Sequence, residues 1–100
     1  MAMEKKSFYY NLSIIIELIS TGRVRSTGSA LAGGAALGFD FAQMLEVVLA
    51  LTADDFYKSM TTYADNKIWQ DVYRPNTSAG DVYLKLTVIE DVLIVSFKEL

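Results

Sequence analysis

Lys58, Gln70, Tyr83 and Lys98 recur at positions that alternating strands would bring to one face of a small sheet. Two ammonium groups, a phenol and a carboxamide can donate hydrogen bonds, hold an anion and move protons. Folding requires none of these groups on that face, so together they suggest a site for an anionic substrate. The competing ordinary reading is a solvated sheet surface, where Lys and Tyr are common. The chain contains neither His nor Cys, which removes thiol nucleophiles, His-activated serines and His/Cys metal centres. Ser59, Ser78 and Ser96 therefore have no imidazole to activate them. Asp54-Asp55 reads as a helix start rather than a Mg²⁺ site, and Gly33-Gly34 as flexible helix rather than a phosphate loop. No metal site or cofactor is expected.

The elements that must position the four groups begin at Phe56. Residues 56–63 and 67–74 flank the turn signal Ala64-Asp65-Asn66, and residues 81–89 and 92–99 flank Glu90-Asp91. A three-residue loop in the first hairpin, with Asn66 at positive φ, pairs Met60 with Gln70 and Lys58 with Val72. An even loop would send Lys58 and Gln70 to opposite faces. A two-residue turn in the second hairpin pairs Tyr83 with Lys98, Lys85 with Ser96, Leu84 with Phe97, Leu86 with Val95 and Val88 with Leu93. Directly opposed side chains lie roughly 5 Å apart at Cβ. That register makes one apolar face from Val82, Leu84, Leu86, Val88, Leu93, Val95 and Phe97. A one-residue slip would spoil both faces.

Ahead of the hairpins the period is helical. Residues 1–8 are expected to fray. Leu12, Ile15, Ile16 and Ile19 make one stripe of a helix ending at Thr21-Gly22. Arg23–Ser26 suits a short extended piece, and Ser26–Leu37 a small Ala-rich helix weakened by its glycines. Asp40 is an N-cap for a helix with Phe41, Met44, Leu45, Val48 and Leu49 on its apolar side. Thr52–Asp55 opens one further helical turn. Helices followed by hairpins indicate an α+β fold in which the N-terminal helices pack on a small antiparallel sheet.

One hundred residues, 52% of them hydrophobic, suit a single domain with one core, its helical part at about 9–55 and its sheet part at about 56–99. No signal peptide or membrane-length apolar run is recognised, and the absence of Cys fits a reducing cytoplasm. Net charge is −3, with residues 1–50 balanced and all of the excess acid in residues 51–100. Proteins that hold nucleic-acid backbones are generally basic. Any anion site here must therefore be a local cationic patch on an acidic body, which itself suits a basic protein partner.

The segments F-Y-K-S-M-T-T-Y, I-W-Q-D-V-Y-R-P, V-Y-L-K and D-V-L-I-V-S-F-K-E closely resemble the motility quorum-sensing regulator (MqsR) toxin family of bacterial type II toxin–antitoxin systems. The likeness continues more weakly through G-R-V-R-S-T, L-G-F-D-F and M-E-K, and departs most at residues 30–38. It implies a RelE-like toxin fold and a metal-independent endoribonuclease acting on messenger RNA in the bacterial cytoplasm. It further implies neutralisation by an MqsA-type antitoxin, with no membrane role and no DNA binding by the toxin alone. Carried over residue by residue, it makes Lys58, Gln70, Tyr83 and Lys98 the catalytic set. Tyr57, Met60, Arg74 and Lys85 become candidates for substrate contact. The alternatives left open are a non-catalytic RNA-binding module on the same face and a protein-interaction domain docking through a strand edge.

Overall fold

The computed structural model describes residues 2–100. The architecture is α+β: three helices lie over one face of a seven-stranded sheet. The helices are α1 (Leu12–Ser20), α2 (Gly28–Ala36) and α3 (Phe41–Leu49). The strands are β1 (Glu4–Lys5), β2 (Val24–Ser26), β3 (Phe56–Thr61), β4 (Trp69–Tyr73), β5 (Asn76–Thr77), β6 (Gly80–Ile89) and β7 (Asp91–Glu99). Their order is β1-β3-β4-β6-β7-β2, with β5 paired to β6. Pairing is antiparallel except where β2 runs parallel to β7. No single helix among the described residues is long and apolar enough to cross a membrane.

Local chemistry sets the helix boundaries. The Asn11 side chain accepts from the Ser13 N–H at the start of α1, and Thr27 accepts from Ala30 at the start of α2. Asp40 and Gln43 form a reciprocal capping box on α3. Gly22 (φ 81°) and Gly38 (φ 87°) follow α1 and α2 in the left-handed conformation that suits glycine. Ile15 and Ile19 of α1, Ala30 of α2, and Met44 and Val48 of α3 pack against Tyr73, Val82, Leu84, Leu86, Val92, Ile94 and Phe97 of the sheet. Leu49 of α3, expected on the apolar side, is exposed instead.

Four further expectations need correction. The N-terminal residues are not frayed throughout: β1 pairs with β3, and Met3 exchanges hydrogen bonds with Thr61, both at 2.8 Å. Further along, the buried Asp71 carboxylate accepts the backbone N–H groups of Tyr9 and Tyr10. The first loop, residues 62–68, is longer than three residues, but it is odd, so Met60 still pairs with Gln70 and Lys58 with Val72.

In the second hairpin the turn is not two residues. Glu90 takes positive φ (64°), Ile89 pairs with Asp91, and a bulge at Val95 restores the expected register beyond it. Tyr83 thus faces Lys98 and Leu84 faces Phe97 as expected, whereas Leu86 faces Ile94 and Val88 faces Val92. The core row of β7 is Val92, Ile94 and Phe97, not Leu93, Val95 and Phe97.

The fourth correction concerns Gly33-Gly34. These residues bring α2 close to its neighbours rather than loosening it. A Cβ on Gly33 would run into the carbonyl oxygen of Phe97, and one on Gly34 would meet the Met44 side chain. Gly33→Ala is expected to cost about 1–3 kcal/mol in denaturant unfolding, the scale of overpacking. Gly28→Ala, whose Cβ would meet nothing within 4 Å, should change little.

Tyr73 is fully buried against Phe56 (ring centroids 5.5 Å), and its hydroxyl has no hydrogen-bond partner among the described residues. Burial pushes its pKa up, with Asp71 and Asp55 adding to the shift. The unfolded chain's phenol ionises near pH 10, so this residue favours the fold below that pH and loses its contribution as pH rises. Tyr73→Phe is expected to hold or raise the melting temperature and to move alkaline unfolding to higher pH.

Candidate catalytic face

The apolar face of the sheet is committed to the helices, so alternate residues emerge on the other side. Lys58 and Met60 of β3 come out there beside Val72 and Gln70 of β4. Val72 pairs on its other side with Lys85 of β6, which in turn pairs with Ser96 of β7. Lys58, Val72, Lys85 and Ser96 therefore form one row across four strands. Next to it Tyr83 and Lys98 are directly opposed. All four residues read as catalytic share this face. Gln70 and Val72 are buried in its floor, Lys58, Tyr83 and Lys85 are half-buried, and Lys98 is exposed.

A bulge in β3 re-aims one more side chain. Phe56 pairs with Tyr73 and Lys58 with Val72, leaving Tyr57 as the extra residue. Its ring swings towards the cations instead of the core. Lys6, Lys58 and Arg74 lie 5.3, 5.5 and 4.6 Å from its centroid. Tyr83 is flanked in the same manner by Lys98 at 5.2 Å and Lys85 at 5.8 Å. Two phenols thus stand among five cations, on a chain whose net charge is −3. Cation–ring contacts of this kind favour close approach of the ammonium groups without neutralising them. Met60 lies opposite Gln70, completing the set of proposed contact residues on this face.

The electrostatics distinguish the lysines. Lys58 donates to Glu4, which β1 carries to the rim of the face. This hydrogen bond raises the Lys58 pKa and lowers that of Glu4. Lys85 has no carboxylate within ion-pair distance among the described residues. Burial lowers its pKa, and the nearby charges of Lys98 and Lys58 lower it further. Both Tyr57 and Tyr83 lie within electrostatic reach of Lys58. The arrangement can hold a phosphate-like anion and offers one amine whose protonated form is stabilised and one that gives up its proton more readily than an ordinary lysine.

Reading the sequence missed Glu4 and Lys6. The signal was the charged run Glu4-Lys5-Lys6, but a two-residue strand shows no periodicity to reveal it. Lys5 turns to a different task, standing 4.6 Å from the Tyr9 ring and 4.7 Å from that of Trp69, which stack on each other.

Comparison with known proteins identifies the family of the chain. Residues 8–99 match the family described as motility quorum-sensing regulator, toxin of MqsA. The chain is 57% identical over 97 residues to the mRNA interferase toxin MqsR of Escherichia coli strain K12, covering 97% of this chain and 99% of that one. The shared span includes every residue of the cationic face apart from Glu4 and Lys6 within residues 8–99.

Glu4→Gln is expected to lower the Lys58 pKa relative to wild type while leaving the fold intact. NMR titration of the lysine side-chain resonances reads this directly, and an unmoved Lys58 would show that the ion pair does not persist in solution.

Proposed function

This chain belongs to the motility quorum-sensing regulator toxin family, and from that membership we propose that it is a toxin that cuts messenger RNA. The observation that carries the reading is Tyr83 set directly opposite Lys98, with Lys58 and Lys85 nearby on the same face. The substrate's own 2′-hydroxyl serves as the nucleophile. Its oxygen bonds to the adjacent phosphorus as its proton is removed, and the 5′-oxygen leaves with a proton, giving a 2′,3′-cyclic phosphate and a 5′-hydroxyl end.

Such a reaction needs a base, positive charge on the phosphate oxygens and an acid. Lys58 and Lys98 stabilise the charge that develops on the phosphorane, and one of them protonates the leaving oxygen. Glu4 keeps Lys58 protonated at rest and yields it to the incoming phosphate. Tyr83 positions the nucleophile or takes its proton, and Gln70 orients the backbone. Tyr57, Met60, Arg74 and Lys85 line the path of the RNA. The chemistry calls on no metal or organic cofactor, and it takes place in the bacterial cytoplasm, where messenger RNA is translated. An MqsA-type antitoxin neutralises the protein, and the acidic surface outside the cationic face suits basic residues on that partner.

Lys98→Ala and Tyr83→Phe are each expected to lower RNA cleavage on the order of 10²–10⁴-fold while melting like wild type. Cleavage by the wild-type protein should persist in EDTA and leave cyclic-phosphate ends. Near-wild-type cutting by Lys98→Ala would refute these assignments, and binding of RNA without cutting would favour a non-catalytic module.

A further inference from the structure

The lysines of the cationic face are not equivalent in their surroundings. Lys58 is tied to a carboxylate, and Lys98 stands exposed at the rim. Lys85 occupies the middle of the row, half-buried, with Val72 opposite on one side and Ser96 on the other. The charged and titratable groups facing it are Lys58 from β3, Tyr83 on its own strand and Lys98 from β7. Glu4, the carboxylate that β1 brings to this rim, is engaged with Lys58. Among the described residues no carboxylate pairs with Lys85; only the Tyr83 ring at 5.8 Å favours its charged form, while burial and two like charges oppose it.

We propose that Lys85 is the general base of the RNA cleavage. Its neutral amine takes the proton of the 2′-hydroxyl, and the freed oxygen forms the new bond to phosphorus. The bond from phosphorus to the 5′-oxygen breaks, and that oxygen accepts a proton from the ammonium group of Lys58 or Lys98. One proton enters Lys85 as one leaves its neighbour, so the total charge of the face is unchanged. Tyr83 then acts by orienting the 2′-hydroxyl rather than by ionising. This assignment rests on the endoribonuclease reading above. Desolvation of Lys85 and repulsion from Lys98 and Lys58 lower its pKa, which raises the fraction of base present near neutral pH.

The test uses the full chain and exploits its lack of Cys. Lys85→Arg keeps the positive charge but cannot give up its proton at working pH. Lys85→Cys can be alkylated at that one thiol with 2-bromoethylamine, which restores a primary amine that is more acidic than that of lysine. The wild-type rate is expected to rise with pH along a limb set by Lys85. Lys85→Arg should lose on the order of 10²–10⁴-fold in rate while binding a non-cleavable 2′-deoxy oligonucleotide as wild type does. The alkylated Lys85→Cys protein should recover cleavage with that limb moved to lower pH, and Tyr83→Phe should leave the limb in place.

A Lys85→Arg loss smaller than about 10²-fold overturns the proposal, since charge alone would then suffice. So does an alkylated protein whose limb stays put. Failure of the wild type to cut any RNA sinks the endoribonuclease reading and this proposal together. Wild-type cutting with an unimpaired Lys85→Arg sinks this proposal alone.

Discussion

Burial of one sheet face against three helices is the constraint on which the other face depends. Val82, Leu84 and Leu86 of β6, and Val92, Ile94 and Phe97 of β7, are withdrawn from water by Ile15, Ala30, Met44 and Val48. Each fully buried aliphatic or aromatic side chain contributes about 1.5–3 kcal/mol. Surface charges repel one another far more weakly through water. The apolar packing therefore wins and fixes the register, and the register obliges Lys58, Lys85 and Lys98 to emerge close together. A cluster that opposes folding is tolerated because the strands carrying it are anchored from behind.

The cations are then moderated individually. Glu4 offsets the charge of Lys58, the Tyr57 and Tyr83 rings receive the ammonium and guanidinium groups of their neighbours, and Lys85 is left to adjust by shedding its proton more readily. The excess acid of the chain lies elsewhere. Asp71 is spent inside the fold on the N–H groups of Tyr9 and Tyr10, and Asp91 engages Arg23 and Arg25 at the opposite edge of the sheet. An acidic protein can thus present one basic face, which a net-charge argument by itself would have discouraged.

What was legible in the amino-acid pattern follows the same physics. Long alternating runs with an apolar face reveal themselves, so the pair Tyr83–Lys98 could be read directly, whereas Lys58–Val72 and Met60–Gln70 followed only from supposing an odd loop, whose length was misjudged. Features that break the alternation could not. The bulges at Tyr57 and Val95 add one residue each with no compositional mark, and Glu90 adopts positive φ without being Gly or Asn. The Val95 bulge explains why the first four pairs from the open end of the β6–β7 hairpin were legible and the rest were not. Pairing of β1 depends on contacts some sixty residues distant, including Met3 with Thr61, and two residues carry no period. Gly33 looked like a weakness because its missing side chain matters only once β7 lies against it.

The stack of Tyr9 on Trp69, with the Lys5 ammonium beside both rings, has a practical side. Trp69 is the chain's single tryptophan, and it adjoins the segment that delivers Glu4 to Lys58. Its fluorescence is therefore a natural optical reporter for docking of the N-terminal strand. Loss of the Tyr9 and Lys5 contacts would change the surroundings of that one indole, with no added label needed to follow it.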